Sequence, residues 1–179
     1  MSVKIGYIVG SLSSTSINRA VFEAVKKNAP EGVEITEIAI ADLPHYSQDL
    51  EAEFPASARA LKDAIEAADA VVVASPTFNN SFSSVAKNAL DWSSRPWGQH
   101  SFSGKPVAVA SASPSSHGGK PATDGLADIL AFGEAKVLET AFNLTVGEGT
   151  FTAEGDFADE DAKARAKGML DALVANAQG

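Results

Sequence analysis

Ala70-Val71-Val72-Val73-Ala74 is apolar at five consecutive positions, three of them β-branched. A strand with one wet face alternates apolar and polar residues. A run that does not alternate is a strand covered on both sides, as in a parallel sheet whose crossovers are helices. This confines the chain to few architectures. Similar short runs occur at Lys4–Val9, Val33–Ile40, Val107–Ala110 and Ala135–Leu138. Alanine-rich segments with helical spacing lie between and after them: Ile17–Ala29, Ala56–Ala68, Ser81–Ser93, Ala122–Phe132 and Ala158–Ala177. Pro44, Pro55, Pro76, Pro96, Pro106, Pro114 and Pro121 fall between these elements or at their ends. Strand followed by helix, repeated in this way, predicts an α/β fold with helices on both faces of a parallel sheet. The 179 residues suit one domain spanning 1–179, with no repeat, low-complexity tract or linker. The glycine-rich stretch Thr145–Phe157 reads as a long loop or short hairpin before the last helix.

Composition removes several kinds of chemistry. There is no cysteine, so thiolate metal sites, disulfides and cysteine nucleophiles are excluded. His45, His100 and His117 are far apart and form no metal-binding spacing, and no metal is expected. The formal charge of −9 argues against a nucleic-acid or anionic-membrane partner. The N-terminal apolar run, Ile5 to Val9, is too short for a signal peptide, so the expected location is the cytoplasm. Asn143-Leu144-Thr145 matches a glycosylation acceptor, which has no consequence there.

In an open parallel sheet, ligands bind beyond the carboxyl ends of the strands, where strand order reverses. Three segments occupy such positions. After the first strand comes Gly10-Ser11-Leu12-Ser13-Ser14-Thr15-Ser16-Ile17-Asn18, followed by a helix. One hydroxyl would serve as a helix cap. Five in the six positions Ser11 to Ser16, at a helix N-terminus with its free N–H groups, make a phosphate cradle. No Walker or dinucleotide fingerprint is present. After the third strand comes Ser75-Pro76-Thr77-Phe78-Asn79-Asn80-Ser81-Phe82. Its aromatics and amides suit the faces and edge of a flat heteroaromatic ligand. The plainer alternative is a turn capped by Ser81, with Phe78 and Phe82 in the core. After the fourth strand comes Ser111-Ala112-Ser113-Pro114-Ser115-Ser116-His117-Gly118-Gly119-Lys120, in which paired glycines allow close backbone approach. Alone it would be an ordinary surface loop. Ser116-His117 lacks the G-x-S-x-G setting of a hydrolase.

These loops, with Lys87-Asn88-Ala89-Leu90-Asp91-Trp92, Leu43-Pro44-His45-Tyr46 and Gly104-Lys105-Pro106-Val107, resemble the NADPH-dependent FMN reductase family, in order along nearly the whole chain. That flavodoxin-like group includes quinone, azo-dye and chromate reductases. The resemblance implies a five-stranded parallel sheet of order 2-1-3-4-5, with FMN as cofactor and NADPH or NADH as reductant. It implies phosphate contacts at Ser11, Ser13, Ser16, Ile17 and Asn18. Pro76, Thr77, Phe78, Asn79 and Ser81 match positions beside the flavin ring. Ser113, His117 and Gly118 match the loop around ring and ribityl chain. The family carries Arg where this chain has Ser13, and Glu-Tyr where it has Thr77-Phe78. The first departure removes a charge-assisted phosphate contact, for which Arg19 is a candidate replacement. The flavin would carry the chemistry, so no catalytic acid, base or nucleophile is expected. The resemblance further implies a small-molecule electron acceptor such as a flavin or quinone. It also implies a homodimer or homotetramer, for which Trp92, Trp97 and Arg95-Pro96 suit an interface; Trp92 as plain core is the alternative. Arg19, Lys87, Arg95, His117 and Lys120 are candidates to offset the acidic surface for anionic NADPH. The competing readings are a flavodoxin-like electron carrier that does not oxidise NAD(P)H, and a flavin-free binding protein.

Overall fold

The computed structural model describes residues 2–179. Strand β1 (Val3–Val9) leads into helix α1 (Ile17–Lys27), then β2 (Val33–Glu37) and α2 (Ala56–Ala67). Next come β3 (Ala70–Ala74), a small hairpin of β4 (Thr77–Phe78) and β5 (Ser81–Phe82), and α3 (Ser84–Ser93). The chain closes with β6 (Pro106–Ser113), α4 (Lys120–Phe132), β7 (Lys136–Val137), β8 (Phe142–Thr145) and α5 (Glu160–Gln178). The main sheet is parallel with order β2-β1-β3-β6-β7, and β8 also pairs with β6. The expected strand order is therefore present, the fifth position being filled by two short strands in succession.

The unalternating valine run behaves as its pattern demands. Ala70, Val72 and Ala74 enter the core beneath α1 and α5, while Val71 and Val73 enter the opposite core with α2, α3 and α4. All five are essentially inaccessible. Full burial of each valine contributes about 1.5–3 kcal/mol, which fixes β3 as the sheet's central strand.

Several boundaries differ from expectation. β2 ends at Glu37, although the apolar pattern runs to Ile40. Ile38 N–H still donates to the Tyr7 carbonyl at 2.9 Å. The chain then leaves the sheet so that Ile38 and Ile40 fill the core under α2. The predicted fifth strand, Ala135–Leu138, covers only β7, and β8 lies seven residues beyond the start of that run. Helix α3 begins at Ser84 because Thr77–Phe82 fold into the hairpin. Its two-residue turn, Asn79-Asn80, has φ of 49° and 60°. That is the turn whose twist matches a hairpin, and asparagine is among the few side chains that tolerate it. An antiparallel bridge between Phe151 and Phe157 accounts for the expected short hairpin. No helix among the described residues is long and apolar enough to cross a membrane.

Two separated sequence motifs prove to be one contact. Asn88 accepts from Tyr46 N–H at 2.8 Å and donates to the Pro44 carbonyl at 3.0 Å. Trp92 Nε1–H donates to the same carbonyl at 2.8 Å. Tyr46 and Phe54 pack edge-on against the indole, each at 5.2 Å. Trp92 is fully buried, so it belongs to the core and offers nothing to an interface. Trp97, by contrast, is 67% exposed.

Candidate functional site

The three serine-rich loops come together at the carboxyl ends of β1, β3 and β6. Gly10 follows β1 where the chain passes close to its neighbours. A Cβ there would lie 2.7 Å from the Ala74 carbonyl and 3.0 Å from the Ala86 Cβ, so no side chain fits. Beyond it, Ser16 caps α1, its Oγ accepting from Arg19 N–H at 3.3 Å. Ser11 Oγ accepts from Ser13 N–H at 3.4 Å, and Ser13 Oγ meets Thr15 Oγ1 at 3.2 Å. The backbone N–H groups of Leu12, Ser14, Ile17 and Asn18 find no acceptor among the described residues. Free N–H groups, exposed hydroxyls and a helix N-terminus together form a donor-rich concavity suited to an anion. The cradle is electrically neutral. Arg19, the candidate replacement for an arginine at position 13, is held by both Glu37 carboxylate oxygens at 2.7 and 2.8 Å. This pair keeps the Glu37 carboxyl below the ordinary carboxylate range, the Arg19 hydrogen bond being the main cause.

The second loop is the β4–β5 hairpin. Ser81 is exposed and pairs with Phe78 across the hairpin; it caps nothing. The cap of α3 is Ser83, whose Oγ accepts from Ala86 N–H at 3.2 Å. Phe78 is 59% exposed, so it is not core, and Phe82 is half-buried. Pro76 and Thr77 are half-buried at the hairpin base, and Asn79 lies at its tip. Outside the hairpin is an open cavity of about 610 Å³ lined by Phe78, Asn79, Ser81, Phe82, Ser84 and Lys87. Lys87 pairs with Asp91 at 2.6 Å.

In the third loop, Ser113 Oγ meets Ser115 Oγ at 2.9 Å. His117 Nδ1 accepts from Gly119 N–H at 3.1 Å, and Ser115 Oγ lies within hydrogen-bond distance of the same ring. Gly118 is buried against the Leu144 backbone with φ 56°, which puts the end of β8 into the site as well. A Cβ on Gly119 would lie 1.9 Å from Ser111 Oγ, and its φ of 88° also favours glycine. Lys120 pairs with Asp124 at 2.6 Å.

Asn18 stands apart from the other phosphate-loop candidates. It is 2% exposed, and its side chain crosses to β6. Oδ1 accepts from Ala112 N–H at 2.9 Å, and Nδ2 donates to the Ala112 carbonyl at 3.2 Å. Three further buried residues were not singled out from the sequence: Ser75, Ser83 and Ser111. Ser83 Oγ donates to the Gly10 carbonyl at 2.6 Å. Ser83 N–H donates to Ser75 Oγ at 2.8 Å, and Ser111 Oγ donates to the Ser75 carbonyl at 2.6 Å. Their only signal in the sequence is position, each lying at a strand end or directly before a helix.

The fold and this cluster of strand-end loops define a flavodoxin-like protein with an anion cradle beside a partly aromatic surface. The chain belongs to the NADPH-dependent FMN reductase family, whose model matches residues 3–149. It is 34% identical over 176 residues to a 2-hydroxy-1,4-benzoquinone reductase of a Burkholderia species, covering 98% of this chain and 96% of the relative. An NAD(P)H-dependent FMN reductase of Pseudomonas aeruginosa is 34% identical over 173 residues, covering 96% and 93%. Among solved structures, the flavoenzyme NAD(P)H:(acceptor) oxidoreductase of Paracoccus denitrificans superposes with a TM-score of 0.91 at 34% identity, covering 98% and 97%. The protein is thus an oxidoreductase of the FMN-dependent, NAD(P)H-oxidising class.

Proposed function

We propose that the three loops hold FMN and that the physiological acceptor is a quinone. The observation that carries this reading is the neutral cradle. Its unpartnered N–H groups and its hydroxyls at the start of α1 match a phosphate ester, and the exposed Phe78 of the second loop matches a planar ring. The residues present therefore fit the cofactor. Bound FMN supplies the redox chemistry, taking a hydride from NAD(P)H and returning two electrons, which with two protons convert a quinone to a hydroquinone. The chain's own task is to bind and orient. Ser11, Ser13, Ser16 and the N–H groups of Ile17 and Asn18 donate to the phosphate. Pro76, Thr77, Phe78, Asn79 and Ser81 border the ring on one side, and Ser113, His117 and Gly118 on the other. Phe78 replaces a tyrosine of the family pattern, so the acceptor meets an apolar face without a phenolic donor. A flat quinone stacks well on such a face.

We further infer one functional domain over 1–179, working in the cytoplasm as a homodimer or homotetramer. The exposed Trp97 and Phe132, 67% and 73% accessible, flank a cavity of about 200 Å³ and supply the apolar surface such an assembly would cover.

The test is a visible spectrum of the protein after incubation with FMN and dialysis. A retained flavin spectrum is expected, bleached anaerobically by NADPH and restored by benzoquinone. A retained spectrum that NADPH leaves unbleached would favour an electron carrier. Loss of flavin on dialysis would remove the resident-cofactor reading.

A further inference from the structure

The side-chain hydrogen bonds between the three loops close into a ring. Ser83 ties the second loop to the first through the Gly10 carbonyl. Ser111 ties the third loop to the second through the Ser75 carbonyl, and Thr77 Oγ1 repeats that link by donating to the Gly119 carbonyl at 3.1 Å. Asn18 ties the first loop's helix to the end of β6 through both polar groups of Ala112. Asn18, Ser75, Ser83 and Ser111 are at most 3% exposed. Buried polar groups arranged in this way contribute less to stability than to geometry, because each one left unpaired costs more than its bond returns.

From this closed ring, and resting on the flavin reading above, we infer that Asn18, Ser83 and Ser111 are positioning residues. They set the spacing of the phosphate loop against the two ring loops. For Asn18 the side chain does not serve the phosphate at all; its amide is spent on Ala112, and only its backbone N–H faces the cradle. Thr77 falls in the same group, since its hydroxyl is spent on Gly119. The strand ends alone do not fix this spacing. Pairing of β1 with β3 ends at Val9 and Ala74, and that of β3 with β6 at Ala74 and Ala110, each followed by one further backbone bond, from Gly10 and Ser75 respectively. Beyond these bonds β6 pairs only with β8, and the side-chain ring holds the first and second loops against it.

The test separates a phosphate contact from a spacing role by comparing FMN with riboflavin, which lacks the phosphate. Asn18→Ala is expected to weaken both flavins by the same factor, about tenfold, the order for loss of a buried hydrogen-bonding partner. Ser111→Ala, remote from the cradle, is expected to do the same. Weakening of FMN alone by Asn18→Ala would show a direct phosphate contact and overturn the inference. So would unchanged binding of both flavins in either variant. Amide exchange in the ligand-free chain gives a second readout. Asn18→Ala should speed exchange at Ser83, across the ring, as well as at Ala112. Change confined to Ala112 would mean that the bonds do not act as a ring. Failure of the flavin reading shows separately, as wild-type protein that binds neither flavin.

Discussion

Replacing Tyr7 by phenylalanine should stabilise this protein. Tyr7 lies on β1, is 0% exposed, and its hydroxyl has no hydrogen-bond partner among the described residues. Its ring packs against Phe22 at 4.8 Å beneath α1. Burial alone pushes the phenol's pKa well above its ordinary value, because the charged form would have no solvent. A hydroxyl taken from water into such a place without a partner costs about 1–3 kcal/mol. Its removal leaves a void smaller than a methyl group, which costs less than about 1 kcal/mol. The net gain is then about 1 kcal/mol. For a chain of this size that raises the melting temperature by about 2–4 °C. Thermal unfolding followed by circular dichroism on wild type and Tyr7→Phe measures it. Alkaline titration of the phenol absorption supplies a control, since Tyr7 should ionise only as the fold is lost. A melting temperature lowered by about 2 °C or more would refute the reasoning. It would show that the hydroxyl is satisfied inside the core, for instance by an enclosed water.

Three other outcomes are expected. Ser13→Arg should tighten FMN about tenfold at low salt by adding a charge-assisted bond, and the gain should shrink as ionic strength rises; titration of flavin fluorescence at two salt concentrations measures both. The Arg19–Glu37 pair is partly exposed and worth about 0.2–1 kcal/mol. Because Arg19 lowers the folded-state pKa of Glu37, its contribution is present above the unfolded carboxylate value and lost as pH falls through the lowered folded one. The stability difference between wild type and Arg19→Ala should therefore close in acid, and a difference that grows there would contradict the pairing. Asn80→Ala places a side chain without asparagine's local hydrogen bonding at φ 60° and should destabilise by about 1 kcal/mol, whereas Asn80→Gly should not; urea midpoints of the two variants decide it.

What could be read from the sequence follows from where the information is local. The unalternating valine run declares a central parallel strand because both its faces are buried, and burial writes itself directly into residue type. The loop Gly10–Asn18 is similarly legible, since hydroxyls at a helix start have few other uses in such number. The β4–β5 hairpin was not legible as a hairpin. Asn79-Asn80 is a turn signal, but two-residue strands carry no periodicity, so the segment reads as a loop, with a turn capped by Ser81 as the plainer alternative. β8 escaped for a related reason. Leu138–Ala141 interrupts the edge position, and Phe142-Asn143-Leu144-Thr145 alternates only over four residues. Ser75, Ser83 and Ser111 were invisible because a serine's worth there depends on which carbonyl lies across from it. Those carbonyls, Gly10 and Ser75, are distant or ambiguous in sequence and adjacent only once the sheet has formed. Trp92 was left open between core and interface by its residue type alone; the Pro44 carbonyl, 48 positions away, settles it.

If the first loop holds the flavin phosphate as proposed, an acidic protein has to bind an anion there. The candidates to offset the acidic surface are Arg19, Lys87, Arg95, His117 and Lys120. Arg19, Lys87 and Lys120 are instead paired with Glu37, Asp91 and Asp124, and Arg95 lies 3.7 Å from the Glu51 carboxylate. Their charge is cancelled within a few ångströms, and beyond a Debye length of about 8–10 Å the pairs contribute almost no field. The cradle therefore depends on short-range, oriented donors. Backbone N–H groups at a helix start need no counter-charge of their own and do not attract nearby carboxylates away from their partners. Binding built this way should depend weakly on salt, unlike binding through lysine and arginine. It also requires tighter geometry than a point charge does, since a hydrogen bond weakens steeply as its angle opens. On the proposed reading, the buried ring of Asn18, Ser75, Ser83 and Ser111 meets that requirement. With Ser13 in place of a flexible, long-reaching arginine, the loops themselves have to be held in register.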